Sequence, residues 1–301
     1  MDYKQLNAIT VKNEYPLLIV DELLDELKGA VWFTKLDMHF GYHQIRVCPQ
    51  DLHKTAFKTH HDHGEFKVMP LGLTNTPATF QAVMNQLFSE DLRKFVLVFV
   101  DDILIYSKTL EDDLLHLQHV FTIIQQHSFL LERSKCSFAP QSLEYLGHII
   151  GAEEVSTELT KVQAVADWPT PFDVKQLRGF LGLSGYSTKL IRNYALFSKP
   201  LTDLLKKHVP FVWTSQHQQC FDILKHALLT APVLALPDFS KSFQIETDVS
   251  AFGIGPVLMQ DHHPIAYMSK TLGIKAQLFS TYEKEYLALI MAVTRWKPYL
   301  Q

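Results

Sequence analysis

Two apolar runs, Phe95-Val96-Leu97-Val98-Phe99-Val100 and Ile103-Leu104-Ile105, meet at the acidic pair Asp101-Asp102. Their content of β-branched and aromatic residues predicts two buried strands joined by a tight turn that carries both acids. Elsewhere the apolar period is helical. Phe80, Val83, Met84, Leu87 and Phe88 predict a helix opened by Thr76 as N-cap and Pro77 in the first turn. A helix from about Ile19 to Lys28 turns Val20, Leu23, Leu24 and Leu27 inward and stops at Gly29. Leu114, Leu117, Phe121 and Ile124 predict another stripe packed on the same sheet. Between Asp167 and Lys207 two or three helices are expected, the first capped by Asp173 with Leu177, Phe180 and Leu181 on one side. His60, His61 and His63 around Asp62 read as a polar hairpin turn between Phe57 and Phe66, not as a metal cluster. Pro169, Pro171, Pro232 and Pro237 mark the breaks between units.

Composition adds bounds. With 301 residues, 47% hydrophobic and 20% charged, the chain is globular and long enough for two or three units. Its net charge of −4 does not mark a general nucleic-acid binder, so a binding surface would be a local basic stripe. Cys48, Cys136 and Cys220 are odd in number and far apart, which suits a reduced intracellular setting and offers no zinc site. No apolar run is long enough to span a membrane, and Asp2 and Lys4 stand where a signal peptide would turn hydrophobic. Cytoplasmic synthesis is the expectation.

Two adjacent carboxylates inside an apolar hairpin need a compensating charge, and a divalent metal is the obvious one. Neighbours on a strand point to opposite faces, so both acids can approach one site only where the backbone reverses.

The run Phe99-Val100-Asp101-Asp102-Ile103-Leu104-Ile105-Tyr106-Ser107 resembles the palm-domain metal motif of reverse transcriptases, specifically those of gypsy-type LTR retrotransposons. Further motifs follow the family's order. The stretch from Val31 to Ile45 is similar to its first palm motif and contributes Asp37; Met69 to Gln81 is similar to its template and nucleotide-binding motif. Ser134 to Phe138 and Tyr145 to Ile150 resemble the last palm motifs, the second of which grips the primer end, and Asp2-Tyr3-Lys4-Gln5-Leu6-Asn7 resembles an opening segment. The fold implied is α+β: an antiparallel palm sheet with helices and partial fingers over residues 1–155, a helical thumb and connection over 156–231, and the first part of an RNase H-like α/β domain over 232–301.

The resemblance implies RNA-directed DNA polymerase activity: two-metal addition of dNTPs to a primer 3′ end on RNA or DNA templates, with Mg²⁺ or possible Mn²⁺. Asp37 and Asp101 would bridge the metals, Asp102 would support them, and Lys135 would donate a proton to pyrophosphate. Phe40, Gly41, Tyr42, Pro70, Gly72, Gln81, Leu146 and Gly147 would contact nucleotide or primer-template, Tyr42 excluding the ribose 2′-hydroxyl. A free helix N-terminus behind the turn at Gly72 favours phosphate on its own chemistry. Other polyprotein domains, protease and integrase, are implied partners, and a virus-like particle is the setting of an active element.

The final segment resembles the opening of a retrotransposon RNase H domain. Asp248 and Glu285, the latter in a helix that Thr281 could cap, match the first two of four acids, and the other two positions would fall beyond Gln301. Independent RNase H activity is therefore not expected. Several residues depart from the family. His39 and Phe40 replace an Arg and a small residue, Ser187-Thr188-Lys189-Leu190 replaces a basic aromatic segment, Pro256 falls in an expected strand interior, and a basic finger hairpin is missing. These features keep open an inactive or domesticated remnant that acts in nucleic-acid binding or protein interaction. An unrelated metal-dependent nucleotidyltransferase would explain the acids but not the order of motifs.

Overall fold

The apolar runs flanking Asp101-Asp102 form β4 (Val96–Phe99) and β5 (Asp102–Ser107), and β1 (Trp32–Asp37) pairs with the other edge of β5, giving an antiparallel sheet ordered β1-β5-β4. These strands belong to a computed structural model that describes residues 2–13, 15, 20–152, 154–157, 159–186, 188–230 and 234–300. Ile19, Ser187 and Pro232, named above, lie outside them. The chain divides into two compact units, Met1–Leu146 and Gly147–Gln301.

In the first unit, α1 (Lys4–Ile9) and α2 (Val20–Asp25) precede the sheet, and a hairpin of β2 (Phe57–Lys58) and β3 (His63–Gly64) carries the His-rich turn, as expected. Leu23, Leu24 and Leu27 are buried, and Gly29 ends this stretch at φ 81°, a conformation that favours glycine. Helices α3 (Thr76–Leu87) and α4 (Leu110–Gln126) pack on the sheet, and β6 (Leu143–Tyr145) closes the unit. Phe80, Met84 and Phe88 are fully buried against Leu36, Val96, Val98 and Ile103. The N-cap of α3 is Asn75 instead of Thr76, whose hydroxyl is instead donated to the Pro70 carbonyl at 3.3 Å.

The buried stripe of α4 also differs from the expected one. Leu114 and Phe121 are exposed, while Asp113, Val120 and Ile124 face the sheet. A buried carboxylate at Asp113 is tolerated because Thr34 donates to it at 2.9 Å and Ser107 at 3.3 Å.

The second unit begins with an antiparallel run of β7 (His148–Ile150), β8 (Glu154–Thr157) and β9 (Leu234–Ala235). Between Asp167 and Lys207 the described residues form the helices α6 (Val174–Tyr186) and α7 (Tyr194–Asp203), within the two or three expected, and α5 (Leu159–Ala166) and α8 (Ser215–Leu229) flank them. Asp173 does cap α6, accepting from the Gln176 N–H at 2.7 Å. Leu177, Phe180, Leu201, Phe221 and Leu224 form the shared core of these helices.

Beyond them, β10 (Gln244–Glu246), β12 (Val257–Gln260) and β13 (His263–Tyr267) form one sheet, while β11 (Gly253–Ile254) pairs with β14 (Lys270–Thr271). Pro256 is not in a strand interior. It falls between β11 and β12, where a residue without an N–H removes no ladder bond. After α9 (Ile274–Gln277), helix α10 (Thr281–Arg295) is capped by Ser280 and not by Thr281, through a reciprocal box with Glu283; α11 (Lys297–Leu300) follows.

Candidate active site

The position of Asp101 is set by a strained turn. Val100 is left-handed at φ 53°, an unusual conformation for a β-branched residue. The buried side chain of Gln81 holds it there: Oε1 accepts from the Val100 N–H at 2.7 Å and Nε2 donates to the Val98 carbonyl at 3.0 Å. Asp102 opens β5 directly opposite Asp37, the last residue of β1. Like charges facing across strands repel, so the pair needs cations. Lys35 Nζ lies 3.2 Å from Asp102 Oδ1, and Lys135 Nζ lies 3.5 Å from Asp37 Oδ1.

Asp101 has no such relief. Its Oδ1 is buried without a hydrogen-bond partner. Burial first, then the charges of Asp37 and Asp102, push its carboxyl above the ordinary aspartate range, with Lys135 acting in the opposite direction.

A cavity of about 220 Å³ opens in front of these groups, lined by Asp37, Asp101, Lys135, Phe40, Gly41, Tyr42 and Leu71 among others. Glycine is required at position 41 by close approach: a Cβ there would collide with Asp101 Oδ1 and lie 2.9 Å from the Phe80 ring. Tyr42 meets Phe80 edge-on at 5.3 Å, and burial followed by the charge of Asp101 raises its hydroxyl pKa, keeping the phenol neutral. Phe40 is exposed at the cavity mouth in a left-handed conformation, φ 47°.

The loop bearing Lys135 is pinned to the end of β1. Glu132 N–H donates to the Asp37 carbonyl at 2.9 Å, and Glu132 Oε2 meets His39 Nδ1 at 2.6 Å. The Ser134 hydroxyl, then His39, hold the Glu132 carboxyl below its usual range.

Asp37, Asp101, Asp102, Lys135, Phe40, Gly41 and Tyr42 are therefore brought together. Pro70 and Gly72 shape the neighbouring loop: Gly72 has φ 100°, and Asn7 clamps it by donating to the Gly72 carbonyl and accepting from the Thr74 N–H, both at 2.8 Å. Gln81 lies beneath the hairpin and not at the cavity. Leu146 and Gly147, both at positive φ, form the turn after β6, where the two units meet in sequence. Asp248 is engaged by Arg192 Nη2 at 3.1 Å and Asn193 Nδ2 at 3.4 Å, and Glu285 is exposed on α10.

Sequence reading missed Lys35, Glu132 and the roles of Asn7 and Gln81. Strand alternation was the available signal for Lys35, because it puts Lys35 and Asp37 on one face.

Among the described residues no three His, Cys, Asp or Glu side chains converge tightly enough to hold an ion as they stand. Two of the three aspartates are turned to lysines. The donor set nevertheless suits a hard divalent cation, since two carboxylates facing across adjoining strands and a third in the turn beside them leave one buried oxygen unsatisfied.

An antiparallel sheet backed by helices, with one Asp ending a strand and an Asp pair in the adjoining hairpin, is the palm of a polynucleotide polymerase. Residues 1–150 match the family described as reverse transcriptase (RNA-dependent DNA polymerase), and residues 213–301 match the RNase H-like domain found in reverse transcriptase. The chain is 39% identical over 301 residues to the retrovirus-related Pol polyprotein from transposon 297 of Drosophila melanogaster, covering all of this chain and 28% of that protein. It is 36% identical over 307 residues to the transposon Tf2-3 polyprotein of Schizosaccharomyces pombe, covering all of this chain and 23% of that protein.

The fold is shared with foamy viral protease-reverse transcriptase. One structure, in complex with RNA/DNA hybrid, has a TM-score of 0.88 at 21% identity over 98% of this chain and 41% of that one. Another, in complex with double-stranded DNA, has a TM-score of 0.92 at 21% identity over 99% and 53%. The chain belongs to the reverse transcriptases of retrotransposon Pol polyproteins, with gypsy-type relatives, and includes an RNase H-like domain. It spans about a quarter of the length of these two curated relatives.

Proposed function

We propose that this chain adds deoxynucleotides to a primer 3′ end under the direction of an RNA or DNA template. The observation that carries the reading is the unsatisfied, buried Asp101 Oδ1, flanked by Asp37 and Asp102 at the floor of a cavity. Asp37 and Asp101 would hold two divalent ions, Mg²⁺ or Mn²⁺, with Asp102 in a supporting role; when bound, the ions supply activation of the 3′-hydroxyl and neutralisation of triphosphate charge. Tyr42, fixed against Phe80, excludes the 2′-hydroxyl of a ribonucleotide. Lys135, about two-thirds exposed beside Asp37, is free to reach a departing pyrophosphate and give it a proton. Pro70, Gly72 and the N-terminus of α3 shape the nucleotide side, while Leu146 and Gly147 meet the primer.

Residues 1–155 serve as palm with partial fingers, 156–231 as thumb and connection, and 232–301 as the start of an RNase H-like domain. Protease and integrase regions of the same polyprotein are its partners, and the cytoplasm, within a virus-like particle, is its setting. Among the described residues no helix is long and apolar enough to cross a membrane.

A second reading, a remnant that binds nucleic acid without polymerising, is favoured by one observation. Lys35 and Lys135 already compensate Asp102 and Asp37. Primer extension by the purified chain on RNA and DNA templates, beside an Asp101→Asn, Asp102→Asn control, separates the two. Mg²⁺-dependent extension that vanishes in the control supports the polymerase; template-primer binding without extension by a folded chain supports the remnant.

A further inference from the structure

We propose that Lys35 is a positioning residue of the carboxylate site: its ammonium holds Asp102 as an outer, charge-compensated group and leaves Asp37 and Asp101 to take the divalent ion. The inference rests on reading this site as one that binds divalent metal.

The placement follows from the strands. Lys35 and Asp37 leave the same face of β1, and Asp37 is in register with Asp102, so Lys35 lies one diagonal step from Asp102. The resulting contact, 3.2 Å from Nζ to Oδ1, joins two side chains that are each about a quarter exposed. Salt and water screen such a pair less than a surface one. The register partner of Lys35 is Leu104, fully buried, so the lysine lies over apolar ground and directs its charge to the strand end.

The charge of Asp102 also reaches an uncharged group. Tyr145 is fully buried on β6, its hydroxyl has no partner, and burial followed by the charge of Asp102 raises its pKa strongly. Among the described residues Lys35 is the cation paired with Asp102. Lys135 differs in kind: it is 65% exposed, at 3.5 Å, and bridges loosely to Asp37. One lysine is built into the sheet beside Asp102, the other stands exposed at the cavity mouth beside Asp37.

Removing the ammonium has a definite consequence. The site gains a unit of negative charge, and Asp102 is released toward the ion. Mn²⁺ binding by the full chain, followed by electron paramagnetic resonance without nucleotide or primer, reads this directly. Lys35→Met keeps the stem and is expected to bind Mn²⁺ roughly tenfold more tightly, the order expected for removing one charge several ångströms from a divalent ion. Lys35→Arg restores wild-type affinity, and Asp102→Asn added to Lys35→Met cancels the gain. Lys35→Gln repeats the measurement if the Met variant does not fold.

An unchanged Mn²⁺ affinity in a folded Lys35→Met or Lys35→Gln chain overturns the role of Lys35 while leaving the metal site intact. Absence of Mn²⁺ binding by the wild type, or binding untouched by Asp37→Asn with Asp101→Asn, overturns the metal reading itself and this inference with it.

Discussion

Gln81 and Val100 share a hydrogen bond that fixes the turn presenting Asp101: the Val100 N–H donates to Gln81 Oε1 at 2.7 Å, while the same side chain donates to the Val98 carbonyl. The turn residue is left-handed and β-branched, so the surroundings must hold it in place. Gln81→Leu fills the same space but leaves the Val100 N–H and the Val98 carbonyl without that side chain. Each buried group so stranded costs about 1–3 kcal/mol. Urea unfolding of the variant should show a loss of that order, with primer extension reduced more than stability alone explains. An undiminished midpoint would mean that the turn holds itself.

Asp101 is a carboxylate that the fold disfavours. Its raised pKa comes from burial and from Asp37 and Asp102, so its charged form opposes folding at neutral pH. Asp101→Asn should therefore stabilise the metal-free chain and raise its thermal midpoint. Adding Mg²⁺ should raise the midpoint of the wild type and leave the variant unmoved. A variant less stable than wild type in the absence of metal would count against the electrostatic account.

Tyr42 rests edge-on against Phe80 at the cavity wall. Tyr42→Val shortens that wall, and the preference for deoxynucleotides over ribonucleotides should fall by about 10- to 100-fold in kcat/KM, the range one steric contact can supply. A preference that does not change would place the sugar elsewhere.

A second titrating group lies behind the sheet. His116 stacks on Phe95 at 3.9 Å, and its Nδ1 meets Ser107 Oγ at 2.8 Å. Burial lowers its pKa below the ordinary 6.5; the charges of Asp112, Asp113 and Asp91 pull it up, and His119 pulls it down. The unfolded chain therefore binds a proton that the folded chain refuses. Stability contributed by neutral His116 is full above about pH 6.5 and is lost as pH falls below that value. Thermal midpoints of wild type should drop between pH 7 and pH 5 more steeply than those of His116→Gln. Parallel curves would assign the acid sensitivity to other groups.

The palm was legible because its signals are local. An apolar run broken by two acids predicts a hairpin, and the helix starting near Thr76 has a clean period. What the chain hides are partnerships across elements. Asp113 occupies a position where the helical stripe calls for an apolar side chain, and it is buried because Thr34 and Ser107 supply hydroxyls from two strands. Nothing in the local spacing of α4 announces those donors, so the stripe was placed one position off, on Leu114 and Phe121. Lys35 and Glu132 were missed for the same reason. Their partners, Asp102 and His39, are distant in sequence and are brought near by strand register and a loop return.

Incorporation of one deoxynucleotide onto a template-primer, followed at saturating Mg²⁺ by the folded chain and by its Asp37→Asn and Asp101→Asn variants, tests the central claim most directly. The account predicts Mg²⁺-dependent incorporation by the wild type, and a loss of at least about a thousandfold in each variant, as expected when a group stabilising the transition state is removed. Incorporation that persists in either variant, or none by a wild-type chain that binds both Mg²⁺ and template-primer, would contradict it.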